Sequence, residues 1–189
     1  MLSKSFVLLG AAILAAAQPT VVDQHEVTYK GTTRNNVELF LGIRYGKDTG
    51  GANRFKAPKA HTPRAGTIVN ATVYGDACPQ PNVGSPSDSP LVLSEDCLNL
   101  NVARPQNTEK DAKLPVMVYI YGGSFYSGST QALLTSPDGL ILQSVQNGHP
   151  IIHVGMNYRL GGKFAFDKSK CLFGKEMSNE SCSLRFCTV

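Results

Sequence analysis

From Val116 to Tyr121 the sequence VMVYIY holds only apolar and aromatic residues, and it breaks at Gly122, Gly123 and Ser124. A run this short, largely β-branched and aromatic, predicts a strand buried on both faces. PIIHVGMNYRL supplies a second apolar strand over 151–157, and the stretch from Leu140 to Gln146 between them predicts a short helix. Strand, crossover helix and strand at this spacing make a βαβ unit, so the fold class is α/β with parallel strands. Upstream, Val27 and Tyr29 alternate with polar neighbours, Arg34-Asn35-Asn36 carries turn chemistry, and Val37 to Tyr45 resumes an apolar pattern, which reads as strand, turn, strand. CLNLNVARP sets Leu98, Leu100 and Val102 against Asn99, Asn101 and Ala103 and predicts a half-buried strand ended by Pro105. Residues 46–63 are rich in Gly, Lys and Pro and read as irregular surface, and QNTEKDAK reads as a polar loop.

The first 17 residues follow a different pattern. Lys4 precedes an apolar stretch from Phe6 to Ala16, and Ala15-Ala16-Ala17 offers a small-residue cleavage site. This is the pattern of a secretory signal peptide over 1–17, too short to span a bilayer. No later segment is apolar for long enough to predict a membrane span, so a secreted, extracellular product is expected. The remainder of the 189 residues suffices for one domain. A net charge of +4, with Lys and Arg scattered, gives no basic patch for nucleic acid or an anionic membrane. Nothing in the pattern sets an oligomeric state.

Five cysteines in an exported chain point to disulfides with one thiol left over. Cys78 and Cys97 bracket a loop rich in Pro, Gly and Ser, and a bond closing it would add roughly 3 kcal/mol in the chain-entropy picture. Cys171, Cys182 and Cys187 fall near the end, without a C-x-x-C pair and with no histidine after Cys171, so no metal site is expected. No cofactor motif is present either. Asn70-Ala71-Thr72 is an acceptor triplet for N-glycosylation, in keeping with export.

The glycines after Tyr121 admit three chemistries. From Gly123 the letters approach the phosphate-binding pattern G-x-x-x-x-G-K-[ST], but Ser129 occupies the lysine position, and Phe125 and Tyr126 crowd a loop that has to wrap an anion. A tight turn that uses glycine only for its dihedral freedom is the second possibility. The third is an oxyanion hole, in which backbone N–H groups freed at a strand end face a carbonyl oxygen as it becomes negative.

Five separated motifs, FLGIRYG with NRFKAP, YGDACPQP, SEDCLNLNVARP, PVMVYIYGGSFYSGS and VGMNYRLG, resemble those of type-B carboxylesterases, the family that includes cholinesterases and certain fungal lipases. They occur in family order over residues 25–161. Ala103 and Ser124 are smaller or different from the family's usual residues, and neither change removes a backbone N–H. The resemblance implies an α/β-hydrolase fold over 18–161. It gives Gly123 and Ser124 the oxyanion-hole N–H groups, has Gly122 permit the turn, pairs Cys78 with Cys97, and makes Arg54 and Glu95 a structural ion pair; the substrate implied for complete relatives is a small-molecule ester. Read from the sequence alone, Arg54 and Glu95 are equally well unconnected surface charges.

A serine hydrolase needs an activated hydroxyl, a histidine and an acid in the order Ser, Asp or Glu, His, with the serine on a G-x-S-x-G elbow. The chain contains no G-x-S-x-G, and Ser124 lacks those flanks. His25, His61, His149 and His153 all precede the place of the elbow, and His153 sits inside an apolar strand as a sheet residue. The expected molecule is an α/β-hydrolase truncated before its nucleophile elbow and inactive alone, with 162–189 an aberrant or non-family tail. Such a truncation leaves apolar sheet faces and strand edges open, which favours aggregation. The rival is a non-catalytic, cholinesterase-like binding or adhesion protein.

Overall fold

The computed structural model describes residues 17–81, 91–132 and 136–161. The expected signal peptide up to residue 16 and the expected non-family tail over 162–189, with Cys171, Cys182 and Cys187, lie outside the described residues.

A small sheet is built from β1 (Thr20–Val22), β2 (Thr28–Lys30) and β5 (Ile68–Asn70), with β2 central, antiparallel to β1 and parallel to β5. A larger sheet contains β3 (Thr32–Arg34), β4 (Val37–Arg44), β6 (Asn99–Pro105), β7 (Val116–Tyr119) and β8 (Ile152–Met156) in the order β3-β4-β6-β8-β7. The turn between β3 and β4 consists of Asn35 and Asn36, both at positive φ (50° and 60°), the two-residue geometry whose twist suits a hairpin. β4 to β6 and β6 to β8 are antiparallel, while β7 and β8 run parallel with α1 (Asp138–Gln146) crossing between them. The predicted βαβ unit is present.

The main core lies under α1, where Ile141 meets Val37, Leu39, Leu41 and Ala103. Asp138 at the start of this helix is held by Arg34 on β3, with Arg34 Nε donating to Oδ1 at 2.8 Å, and by the Ser136 hydroxyl at 2.7 Å. That pairing keeps the Asp138 carboxyl below its ordinary pKa despite burial. On the far face of β4 the Arg104 guanidinium covers the Phe40 ring at 5.4 Å while its Nε donates to Glu38 at 2.7 Å.

Two expectations about burial need correction. The face of β6 that is more buried carries Asn99, Asn101 and Ala103, while Leu100 and Val102 are only half-buried. The asparagines go inside because hydrogen-bonding partners await them there. β7 is also not buried on both faces, since Val116, Met117, Val118 and Tyr119 are 57, 45, 53 and 39% exposed. It pairs with β8 on one side only and forms the sheet edge among the described residues.

Candidate oxyanion turn

Tyr121 ends the apolar run as a buried ring stacked on Tyr158, with centroids 4.5 Å apart. The two residues also bind each other through hydrogen bonds. The Tyr158 hydroxyl donates to the Tyr121 carbonyl at 2.7 Å, and the Tyr158 N–H donates to the Tyr121 hydroxyl at 3.3 Å. Burial pushes both phenol pKa values up, so each hydroxyl keeps its proton. Tyr121 shares a core cluster with Cys78, Cys97, Leu98 and Leu160, so the foot of the turn stands on the Cys78–Cys97 disulfide.

Beyond Tyr121 the backbone leaves ordinary conformations. Gly123 has φ 118°, Ser124 54° and Phe125 57°. Left-handed geometry at two consecutive non-glycine residues costs on the order of 1–3 kcal/mol each and persists only where surrounding contacts impose it. Here the Gly123 carbonyl accepts from the N–H groups of Tyr126 (2.9 Å) and Ser127 (3.1 Å), and the Phe125 carbonyl accepts from Gly161 at 2.7 Å. No described residue accepts a hydrogen bond from the backbone N–H of Gly123 or Ser124, and residues 122–126 are exposed. Two adjacent donors are thus held in a fixed turn, exposed and without a described acceptor.

The demand for glycine falls differently from expectation. A Cβ on Gly123 would collide with the Ser127 carbonyl, and one on Gly128 with the Tyr121 ring. At Gly122 an added Cβ would meet nothing within 4 Å, and its φ is not positive, so Gly122 is not what permits the turn.

Below the turn lies a buried amide network that sequence reading missed. Asn157, fully buried, accepts from the Thr130 N–H (3.0 Å) and hydroxyl (3.1 Å), and its Nδ2 donates to the Asp76 carbonyl (3.1 Å) and Asn99 Oδ1 (3.3 Å). Asn101 Nδ2 donates to the Thr130 hydroxyl at 2.8 Å, while its Oδ1 accepts the N–H of Gly42 in the β4 bulge at 2.8 Å. The signal was present as NLN and MNY at strand ends, but amides alternating with leucines read as the solvent face.

The remaining candidate residues fall around this centre. Arg54 Nε and Nη2 donate to Glu95 Oε2 at 3.0 and 2.6 Å beside the disulfide loop. Arg54 is half-exposed, so the pair fixes the loop more than it stabilises the fold. Asn70 is exposed at the end of β5. His153 is buried in β8, its ring 6.0 Å from that of Tyr119, and burial lowers its pKa so that it stays neutral. Two shallow hollows, one lined by Tyr74, Asn101, Tyr119 and His153 and the other by Arg54, Phe55, Glu95 and Arg159, do not border residues 122–124. Among the described residues no cluster of His, Cys, Asp or Glu could hold a metal, and no helix is long and apolar enough to cross a membrane.

The sequence profile of the carboxylesterase family matches residues 20–169. The chain belongs to that family. It is 48% identical over 181 residues to a secreted lipase of Arthroderma benhamiae, covering 95% of this chain and 31% of the relative. It is 53% identical over 136 residues to the inactive carboxylesterase-like protein VdtD of Byssochlamys spectabilis, covering 70% and 23%. Among solved structures a thermophilic PNB esterase superposes with a TM-score of 0.68 at 38% identity, covering 81% of this chain and 30% of that one. The chain therefore has the α/β-hydrolase fold and spans about a third or less of the length of these carboxylesterase relatives.

Proposed function

We propose that this chain is the N-terminal part of a secreted serine ester hydrolase, supplying half of the oxyanion hole for hydrolysis of small-molecule carboxylic esters. The observation that carries the reading is the strained turn at Gly123-Ser124, whose two N–H groups have no described acceptor. In such a site Gly123 and Ser124 donate to the carbonyl oxygen as the attacking hydroxyl turns it into a tetrahedral oxyanion, and the donors gain strength as negative charge grows. The N–H after the nucleophile completes the hole in this fold, and the nucleophile itself, its histidine and its acid are absent from the 189 residues. The chain alone is therefore inactive. Export is supported by the N-terminal pattern, the Cys78–Cys97 disulfide and the secreted lipase relative, and Asn70 is its glycosylation site.

Purified chain should give neither turnover of p-nitrophenyl acetate nor a burst of acyl-enzyme; a titratable burst would sink the proposal. Sequencing the transcript across Leu160 to Ser169 and onward should reveal a G-x-S-x-G elbow. The second reading, a non-catalytic binding member, draws support from the 53% identity to a relative named as inactive. An intact downstream domain without the elbow serine would favour it.

A further inference from the structure

We propose that Gln80 is a positioning residue for the oxyanion turn, clamping it to the disulfide-closed loop. The proposal rests on the oxyanion reading of residues 122–124. Its geometry is independent of that reading. Gln80 Oε1 accepts the Gly128 N–H at 2.8 Å, and Gln80 Nε2 donates to the Gly128 carbonyl at 2.9 Å. One side-chain amide thus pairs with both backbone groups of a single residue, as a neighbouring strand would. Nε2 also donates to the Cys78 carbonyl at 3.2 Å, which orients the amide from its own side.

Both ends of this clamp are fixed. Cys78 and Cys97 are fully buried and bonded to each other, and Ala77 is tied across the loop by its N–H to the Val92 carbonyl (2.9 Å) and its carbonyl to the Ser94 N–H (3.0 Å). Gly128 has φ 130°, and a Cβ there would strike the Tyr121 ring, so only glycine lets this segment lie so close to the foot of the turn. The turn is therefore gripped at Phe125 by Gly161 and at Gly128 by Gln80, at the end of its strained stretch and just beyond it. Loss of the second grip gives the left-handed pair at Ser124 and Phe125 a route to relax, which would swing the N–H groups away from a shared oxygen. Gln80 belongs to neither core cluster, so its removal should act locally.

Hydrogen exchange read by mass spectrometry on the full chain tests this directly. Gln80→Met keeps length and bulk while removing both hydrogen bonds to Gly128 and the one to the Cys78 carbonyl. The hydrogen-bonded amides of the turn, those of Tyr126, Ser127 and Gly128, should exchange about tenfold to a hundredfold faster, the factor that two hydrogen bonds of ordinary net strength convert to. Exchange in β4, β6 and β8 should be unchanged. Unaltered exchange in the turn, or equal acceleration throughout the sheet, would overturn the proposal. If Gln80→Met does not fold, Gln80→Glu keeps the acceptor for Gly128 N–H and loses the donor; acceleration confined to the same peptides is again required. Exchange reports the clamp whether or not the turn serves an oxyanion, whereas a failed acyl-serine assay on a longer, serine-bearing form would count only against the oxyanion reading.

Discussion

Asn157 is the most sensitive single point of the buried network, and its replacement gives a graded prediction. In Asn157→Ala the Thr130 N–H, on a residue only 5% exposed, and Asn99 Oδ1, on a residue only 2% exposed, lose their partner, while the Asp76 carbonyl keeps Asn99 Nδ2 at 3.0 Å. A buried polar group left unpaired costs about 1–3 kcal/mol, and a water entering the space left by the amide recovers part of it. The expected loss is about 2–5 kcal/mol, a large share of the roughly 5–15 kcal/mol that a domain possesses. Asn157→Asp keeps the acceptors for Thr130 but turns a carboxylate oxygen towards the Asp76 carbonyl and Asn99 Oδ1, where a donor stood. At neutral pH it should cost more than the alanine change. Burial and these acceptors raise the folded pKa of the new carboxyl above its unfolded value, so stability is retained below the unfolded pKa and lost as pH rises through the folded one. Urea unfolding followed by far-UV circular dichroism, extrapolated linearly to water, reads both variants; the chain has no tryptophan to report instead. An alanine variant within about 1 kcal/mol of the parent, or an aspartate variant no worse than alanine at pH 7, would refute the network's role.

Three further outcomes follow from burial and charge. His153 has a folded pKa below its unfolded value because of burial, so stability should fall as pH drops below about 6.5, and a stability–pH titration of His153→Phe should lack that decline. Arg34→Met strips the cation from buried Asp138 and should cost about 1–2 kcal/mol at pH 7, discounted for the 42% exposure of Arg34. Because the Asp138 pKa is depressed, its contribution is present above about 3.9 and vanishes as acid protonates the folded carboxyl; acid titration of the variant should lack that loss. Val118→Lys, on the exposed edge strand, should reduce self-association in sedimentation velocity without altering the unfolding midpoint; unchanged association would absolve β7.

The apolar runs announced the elements correctly because period and length are local properties. Val116 to Tyr119, Asp138 to Gln146 and Ile152 to Met156 became strand, helix and parallel strand, and Asn35-Asn36 became the hairpin turn. What stayed hidden was direction of burial. NLNV on β6 alternates correctly, yet the amide side is buried because Asn157 and Thr130, distant in sequence, supply its hydrogen bonds. β7 reads as a buried strand from composition and is exposed because burial depends on neighbours that a run of letters does not specify. The glycine turn was legible as a turn, but the need for Gly123 and Gly128 in place of Gly122 comes from the Ser127 carbonyl and the Tyr121 ring, contacts that spacing does not encode. Gln80, set between prolines within YGDACPQP, carried no signal of its bonds to Gly128.

The two ordinary residues inside the turn argue against the blander reading of it. A connection that merely reversed the chain would be free to take glycine or asparagine at positions 124 and 125, or to settle into a type I turn, where no residue has positive φ. Here Ser124 and Phe125 both hold left-handed conformations, at a combined cost of roughly 2–6 kcal/mol. Hydrogen bonds of the turn with Gly161 and Gln80, the Tyr121–Tyr158 stack and the disulfide beneath them all resist its relaxation. So many restraints converging on an exposed segment make sense if the orientation of its N–H groups matters, since neither the Gly123 nor the Ser124 N–H gains a described acceptor from being held there. Replacing Ser124 by Gly tests the point: it should relieve strain and stabilise the chain by about 1 kcal/mol in urea unfolding while loosening the turn in hydrogen exchange. A destabilised Ser124→Gly variant would mean that the serine side chain, not the backbone, is what the turn preserves.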